Sequence, residues 1–174
     1  MQDQLPDLIL SGVNQGANLG VETVFSGTVG AAMAGMLFGI PSIALSQTFS
    51  DPAAVRWDTA RQLAPDVIRR LLAAGWDTHA CLNVNFPNVA PADAGPLTLT
   101  RQGLGLVKSI NVVPRTDPRG LTYHWLQFHR EAVENAPDTE TAVVRAGGIA
   151  VTPLRFERTN DEALAQLQQS LSEH

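Results

Sequence analysis

The sequence is poor in residues on which several classes of protein depend. Among its 174 residues there is one cysteine, Cys81, and one lysine, Lys108. A single cysteine excludes an internal disulfide framework and favours a reducing compartment, and its position in an apolar run predicts a buried thiol. The lone lysine lies far from the glycine-rich N-terminal stretch, which excludes a P-loop. No Gly-x-Gly-x-x-Gly motif follows a predicted strand, which excludes a nicotinamide-binding Rossmann domain.

Charge and long apolar runs are also scarce. Charged residues make up 17% of the chain, and the formal net charge of −5 argues against a nucleic-acid or anionic-membrane surface. The longest apolar candidate, residues 29–40, contains three glycines and ends at Pro41, so no segment is expected to span a membrane. No secretory signal pattern opens the chain. The sequence therefore predicts a cytoplasmic protein with a single domain over residues 1–174.

The N-terminal part predicts a βαβ unit. Residues 7–11 form a nearly continuous apolar run, typical of a strand buried on both faces of a parallel sheet. Ser26 is a good N-cap for a small-residue helix over 28–38, and residues 42–46 predict a second buried strand. In such units ligands lie beyond the carboxyl ends of the strands. Because the predicted first strand is central in character, its other neighbour is expected from earlier sequence.

The rest of the chain predicts an α/β fold: a mostly parallel, Rossmann-like sheet flanked by helices, with an antiparallel β-hairpin arm and a C-terminal helix. Residues 97–130 are expected to form the arm, within the single domain, and to project toward another subunit. The predicted elements are a helix over 52–74 that Pro65 kinks or splits, strands over 82–86, 97–101, 107–114, 121–128 and 149–154, a short helix over 137–146 capped by Asp138 or Thr139, and an amphipathic helix over 160–171.

Polar residues between the first strand and the first helix are the candidate site. Asn14 and Asn18 either stabilise turns or contribute to an anion or phosphate site. Ser26, Gly27 and Thr28 either cap the helix or bind an anion through N–H groups that lack intrahelical partners. The histidines are interpreted as structural or surface residues, since none lies at metal-ligand spacing from another: His79, His124, His129 and His174.

Several motifs occur in an order typical of one family. Residues 11–20 read Ser-Gly-Val-Asn-Gln-Gly-Ala-Asn-Leu-Gly and are followed by Ser-Gly-Thr-Val at 26–29. Further along are Gly-Ile-Pro-Ser-Ile-Ala at 39–44, Leu-Asn-Val-Asn-Phe-Pro at 82–87, Thr-Asp-Pro-Arg-Gly at 116–120 and Val-Thr-Pro-Leu at 151–154. Over essentially its whole length the chain resembles the SurE (survival protein E) family of metal-dependent nucleotidases.

The resemblance implies roles for particular residues. It assigns Asn14 to a divalent metal, Mg²⁺ or Mn²⁺, and Ser26, Gly27 and Thr28 to the substrate phosphate, with Asn18 beside them. The implied reaction is metal-assisted hydrolysis of nucleoside 5′- and 3′-monophosphates by a metal-activated water, without a certain catalytic side chain. The implied assembly is a homodimer or homotetramer built through the arm and the C-terminal helix.

One part of the family pattern does not occur in this sequence. The family's other metal ligands, in an Asn-Asp-Asp-Gly segment and a downstream serine, precede the strand that corresponds to residues 8–10, and no Asp-Asp pair occurs here. The chain therefore resembles a member without its first several tens of residues, and we expect little or no phosphatase activity from it alone. The alternative function is a non-catalytic remnant that oligomerises or binds phosphate.

Overall fold

The computed structural model describes residues 4–131 and 134–172. The strands are β1 (Ile9–Gln15), β2 (Ser42–Gln47), β3 (Cys81–Phe86), β4 (Leu97–Leu99), β5 (Val107–Thr116), β6 (Thr122–Arg130) and β7 (Ile149–Leu154). The helices are α1 (Gly27–Met36), α2 (Trp57–Ala74), α3 (Glu140–Arg145) and α4 (Asp161–Ser172), with 3-10 turns at Gly20–Phe25 and Pro91–Asp93.

Five of these strands form one sheet in the order β1-β2-β3-β7-β4. The pairs β1–β2, β2–β3 and β4–β7 are parallel, and only β3–β7 is antiparallel. Strands β5 and β6 form a separate antiparallel hairpin. The predicted fold class, a mostly parallel sheet with helices and an antiparallel arm, is confirmed.

Two helices cover opposite faces of the sheet. Helix α2 packs on one face, in a buried cluster of Ile43, Leu45, Ala60, Ala64, Val67, Leu71, Leu82, Val84, Phe86, Ile149 and Val151. Helix α1 packs on the other, in a cluster of Val29, Ala32, Met33, Met36, Ala44, Cys81 and Leu154. Because β2 and β3 lie between both helices, all their residues are buried. Burial raises the pKa of the Cys81 thiol to about 11, so this cysteine is the inert core residue that its sequence context predicts.

The prediction for the first strand is wrong in two respects. Strand β1 extends to Gln15 rather than ending at residue 11. Within the described residues it lies at the edge of the sheet and pairs with β2. Leu10 and Val13 are 48% and 37% exposed, so the strand is not buried on both faces. The reason is that α1 covers one face of β1, whereas on the other face α2 packs mainly over β2, β3 and β7.

The other elements agree with the sequence except in detail. Helix α2 is continuous through Pro65, and it begins at Trp57 because residues 51–54 form a turn in which the Asp51 carboxylate accepts from the Ala53 N–H group. Thr139 rather than Asp138 caps α3. Helix α4 contains no buried residue, and its leucine stripe at 164, 167 and 171 is exposed.

Candidate phosphate and nucleotide site

A cleft of about 360 Å³ opens at the carboxyl ends of β1 and β2. Asn14 and Gln15 end β1 on one side of it, and Thr48 and Phe49 directly follow β2. Parallel strands bring their carboxyl ends to one edge of the sheet, which is where ligands bind in open α/β proteins. The cleft is lined by Asn14, Gln15, Gly16, Ala17, Asn18, Leu19, Glu22, Phe25, Ser26, Thr48, Phe49, Leu106, Phe128 and Arg130.

Asn14 lies within β1, just after an irregularity in its pairing with β2. The predicted loop position was therefore wrong, since the strand continues through this residue. The Asn14 Nδ2 group donates to the Gly16 carbonyl at 2.8 Å. That hydrogen bond uses the amide nitrogen and leaves Oδ1 as the atom suited to a hard cation.

Asn18 is buried and is held by hydrogen bonds from both its backbone and its side chain. Its N–H group donates to Asn85 Oδ1 at 2.8 Å, and its Nδ2 donates to Ser46 Oγ at 2.7 Å. Its backbone carbonyl accepts from Asn83 Nδ2 at 2.8 Å and from Asn85 Nδ2 at 3.2 Å. The asparagines of β3 thus hold the segment between Asn14 and the 3-10 turn, a role that the alternating pattern of residues 82–86 did not reveal.

Ser26 caps α1, as predicted. Its Oγ accepts from the Val29 N–H group at 3.1 Å, so the hydroxyl proton remains available to another acceptor. The N–H groups of Gly27 and Thr28 belong to the first turn and have no acceptor within the helix. Ser26 lines the cleft, and Gly27 and Thr28 follow it at the helix start, outside the lining residues.

The far wall of the cleft comes from the root of the hairpin and was not predicted as part of the site. Phe128 of β6 lies edge-on to Phe25, with ring centroids 5.2 Å apart. Arg130 Nε donates to Glu22 Oε1 at 2.7 Å, and its guanidinium lies 5.9 Å from the Phe128 ring. A sequence signal for this wall exists in the alternation of β6, because Phe128 and Arg130 share a face opposite Tyr123 and Trp125.

A buried carboxylate fixes the segment that leads to this wall. Glu140, 1% exposed, accepts from the Gly20 N–H group at 2.6 Å and from the Gly103 N–H group at 2.8 Å. It therefore joins the start of the 3-10 turn to the chain before β5. No local pattern marks this glutamate, since its partners lie 120 and 37 residues away.

The described residues do not by themselves form a site for Mg²⁺ or Mn²⁺. In residues 4–131 and 134–172 no group of three or more His, Cys, Asp or Glu side chains is placed to hold a metal. The carboxylate in the cleft, Glu22, is paired with Arg130. Asn14 supplies one neutral oxygen, and hard divalent cations require carboxylates as well.

The described histidines lie away from the cleft. His79 is exposed and paired with Asp77, and His129 contacts Asn111 on the hairpin. His124 is exposed on β6, and His174 lies outside the described residues. No helix in the described part of the chain is long and apolar enough to cross a membrane.

The fold and the cleft define an α/β protein of Rossmann-like topology with a partly polar cleft at the strand ends. The model of the family described as Survival protein SurE matches residues 1–109. The 5′-nucleotidase SurE 1 of Burkholderia lata is 58% identical over 171 residues, 98% of this chain and 66% of the relative. The 5′-nucleotidase SurE of Paramagnetospirillum magneticum is 45% identical over 168 residues, 97% of this chain and 64% of the relative.

The structural comparison agrees. The crystal structure of the SurE protein from Aquifex aeolicus matches with a TM-score of 0.75 at 32% identity, covering 97% of this chain and 66% of that one. The chain therefore belongs to the SurE family. It spans slightly less than two thirds of the length of the two curated relatives described.

Proposed function

We propose that the chain carries the phosphate- and nucleotide-binding part of a nucleotidase that hydrolyses nucleoside 5′- and 3′-monophosphates to nucleoside and phosphate. The observation that carries this proposal is the meeting of Asn14 and the Ser26 helix start in one cleft at the strand ends. Membership of the SurE family supports it, as do the relatives named 5′-nucleotidase.

The helix start would bind the substrate phosphate. The N–H groups of Gly27 and Thr28 point along the axis of α1 toward its N-terminus, where the helix dipole favours an anion. The Ser26 hydroxyl can add one donor, because its oxygen already accepts from Val29. Donors fixed in this way stabilise the negative charge on the phosphoryl oxygens during in-line displacement.

Asn14 would contribute a neutral oxygen to a divalent cation, Mg²⁺ or Mn²⁺, as the family resemblance implies. Since the described residues add no carboxylate cluster, we propose that this chain alone hydrolyses its substrates weakly or not at all. The carboxylates of the family's Asn-Asp-Asp-Gly segment would be needed to hold the cation.

A phosphate-release assay tests the proposal. We expect little release from adenosine 5′-monophosphate with Mn²⁺ by the 174-residue chain. Joining it to the Asn-Asp-Asp-Gly segment of a longer relative should raise the rate by about a thousandfold, the effect of several kcal/mol of charge stabilisation. Asn14→Ala in the joined chain should remove most of that gain.

The matched control is the joined chain with both aspartates of the segment replaced by asparagine, which should remain as slow as the chain alone. Equal rates with and without the segment, or full activity of the Asn14→Ala variant, would contradict the proposal. An inactive joined chain that still binds phosphate would favour the alternative function, a non-catalytic phosphate-binding or oligomerising remnant.

We also propose that residues 1–174 form one domain, with the arm at 97–130 within it, and that it assembles as a homodimer or homotetramer in the cytoplasm. The exposed leucines of α4 and the exposed apolar side chains of the hairpin support assembly. Sedimentation equilibrium that returned the mass of one 18.6 kDa chain would contradict this assembly.

A further inference from the structure

We propose that Phe25 and Phe128 form a platform for the nucleobase, so that the site prefers nucleoside monophosphates to phosphomonoesters that lack a base. This inference rests on the proposed function, because it takes the phosphate to lie at the start of α1. It adds the residues that would determine substrate class.

The two rings stand next to the candidate phosphate site. Phe25 directly precedes Ser26, the cap of α1, and both residues line the same cleft as Phe128. The ring planes are inclined by 66° with centroids 5.2 Å apart, an edge-to-face pair. Neither phenylalanine belongs to the buried clusters of the sheet, and Phe25 is 50% exposed. An aromatic ring that borders a cleft without being covered offers a face for stacking.

An ion pair fixes this wall. Arg130 Nε bonds to Glu22 Oε1 at 2.7 Å, and the Glu22 side chain is only 11% exposed. The pair joins the root of the hairpin to the 3-10 turn that carries Phe25. It also neutralises the one carboxylate of the cleft lining, which would otherwise repel a phosphate dianion. One ligand can therefore place its phosphate at the start of α1 and its base against the two rings.

The lining of the cleft favours a base over an aliphatic group. Its polar side chains include Asn14 at the end of β1 and Ser26 at the start of α1, whereas Phe49 and Leu106 add apolar surface beside the edge-to-face pair of rings. A ligand that fits this lining has an anionic end and a planar aromatic part, which describes a nucleotide.

The hairpin consequently has two faces with different roles. Phe128 and Arg130 face the cleft of their own chain. Tyr123 and Trp125 lie on the opposite face of β6, where Trp125 contacts the guanidinium of Arg115 at 5.3 Å. The opposite face provides a control for any substitution in the platform.

Calorimetric titration of the 174-residue chain with Mn²⁺ present tests the inference, using adenosine 5′-monophosphate, ribose 5-phosphate and inorganic phosphate. The wild type should bind the nucleotide at least tenfold more tightly than ribose 5-phosphate. Phe128→Leu and Phe25→Leu should each weaken nucleotide binding by about tenfold, within the range measured for loss of one stacked ring. Their affinity for ribose 5-phosphate should change less than twofold.

Tyr123→Leu is the matched control and should leave all three affinities unchanged. Circular dichroism and urea titration identify any variant that fails to fold. If Phe128→Leu does not fold, Phe128→Tyr replaces it; this variant keeps the ring and should retain the preference for the nucleotide. Equal binding of the nucleotide and ribose 5-phosphate by the wild type would overturn the inference while leaving the phosphate site standing. Base-dependent binding without hydrolysis by the joined chain would contradict the proposed function and leave the platform standing. No binding of any of the three probes would overturn both.

Discussion

Replacing Glu140 by alanine is expected to lower the free energy of unfolding by about 2–6 kcal/mol. The carboxylate is buried and accepts from the N–H groups of Gly20 and Gly103. Alanine leaves both donors without an acceptor, at about 1–3 kcal/mol for each buried unsatisfied group. Because the same carboxylate joins the 3-10 turn to the chain before β5, its loss should loosen the cleft wall as well as the core.

Urea denaturation followed by circular dichroism measures this effect. Glu140→Gln keeps the volume and one acceptor oxygen, so it should cost less than Glu140→Ala. Glu162→Ala, at an exposed position of α4, is the control and should change the free energy by less than about 0.5 kcal/mol. A Glu140→Ala protein as stable as the control would show that the carboxylate does not hold the 3-10 turn against the chain before β5.

Gly20→Ala should lower the free energy of unfolding by about 3 kcal/mol, near the upper end of the range for overpacking. It acts at the same contact, between the 3-10 turn and the chain before β5. The backbone at Gly20 has φ of +53°, and an added Cβ would overlap the backbone of Gly105 and Leu104. Backbone atoms cannot rotate away as a side chain can, so the turn or the segment before β5 must shift. Gly30 is the matched position, since nothing lies within 4 Å of a Cβ there.

Thermal melts distinguish the two substitutions. The expected loss for Gly20→Ala corresponds to a fall of about 6–12 °C in Tm for a chain of this size. Gly30→Ala, on the exposed face of α1, should raise the stability by about 0.5–1 kcal/mol, because alanine is the better helix former. A Gly20→Ala protein that melts with the wild type would contradict the close approach of these two segments.

The central fold could be predicted because its signals are local. Strand β2 is a short apolar run that follows Pro41, β3 alternates apolar and polar residues before Pro87, and Ser26 fixes the start of α1. The antiparallel direction of β7 could not be predicted, because strand order and direction depend on pairings between distant residues. The prediction that Pro65 splits the helix was wrong for another reason. An exposed proline is tolerated within α2, because the opposite face of the helix is packed on the sheet.

The candidate site also has one part that the sequence predicts and another that it does not. Asn14, Asn18 and Ser26 stand close in sequence, and the cleft brings them together. The opposite wall joins Glu22 to Arg130 across 108 residues, and the buried Glu140 meets Gly20 across 120. The alternation of β6 places Phe128 and Arg130 on one face, but it does not say which distant segment that face meets. Only the folded chain reveals that the hairpin root lines the cleft.

The most direct test of the central claim is a titration of the ¹⁵N-labelled chain with inorganic phosphate, followed by amide chemical shifts. If phosphate binds at the start of α1, the amides of Gly27 and Thr28 should shift most, with saturation, and adenosine 5′-monophosphate should shift the same two resonances. Ser26→Ala should weaken both responses. Saturable shifts that are largest elsewhere on the chain, with Gly27 and Thr28 unmoved, would contradict the assignment of the phosphate site.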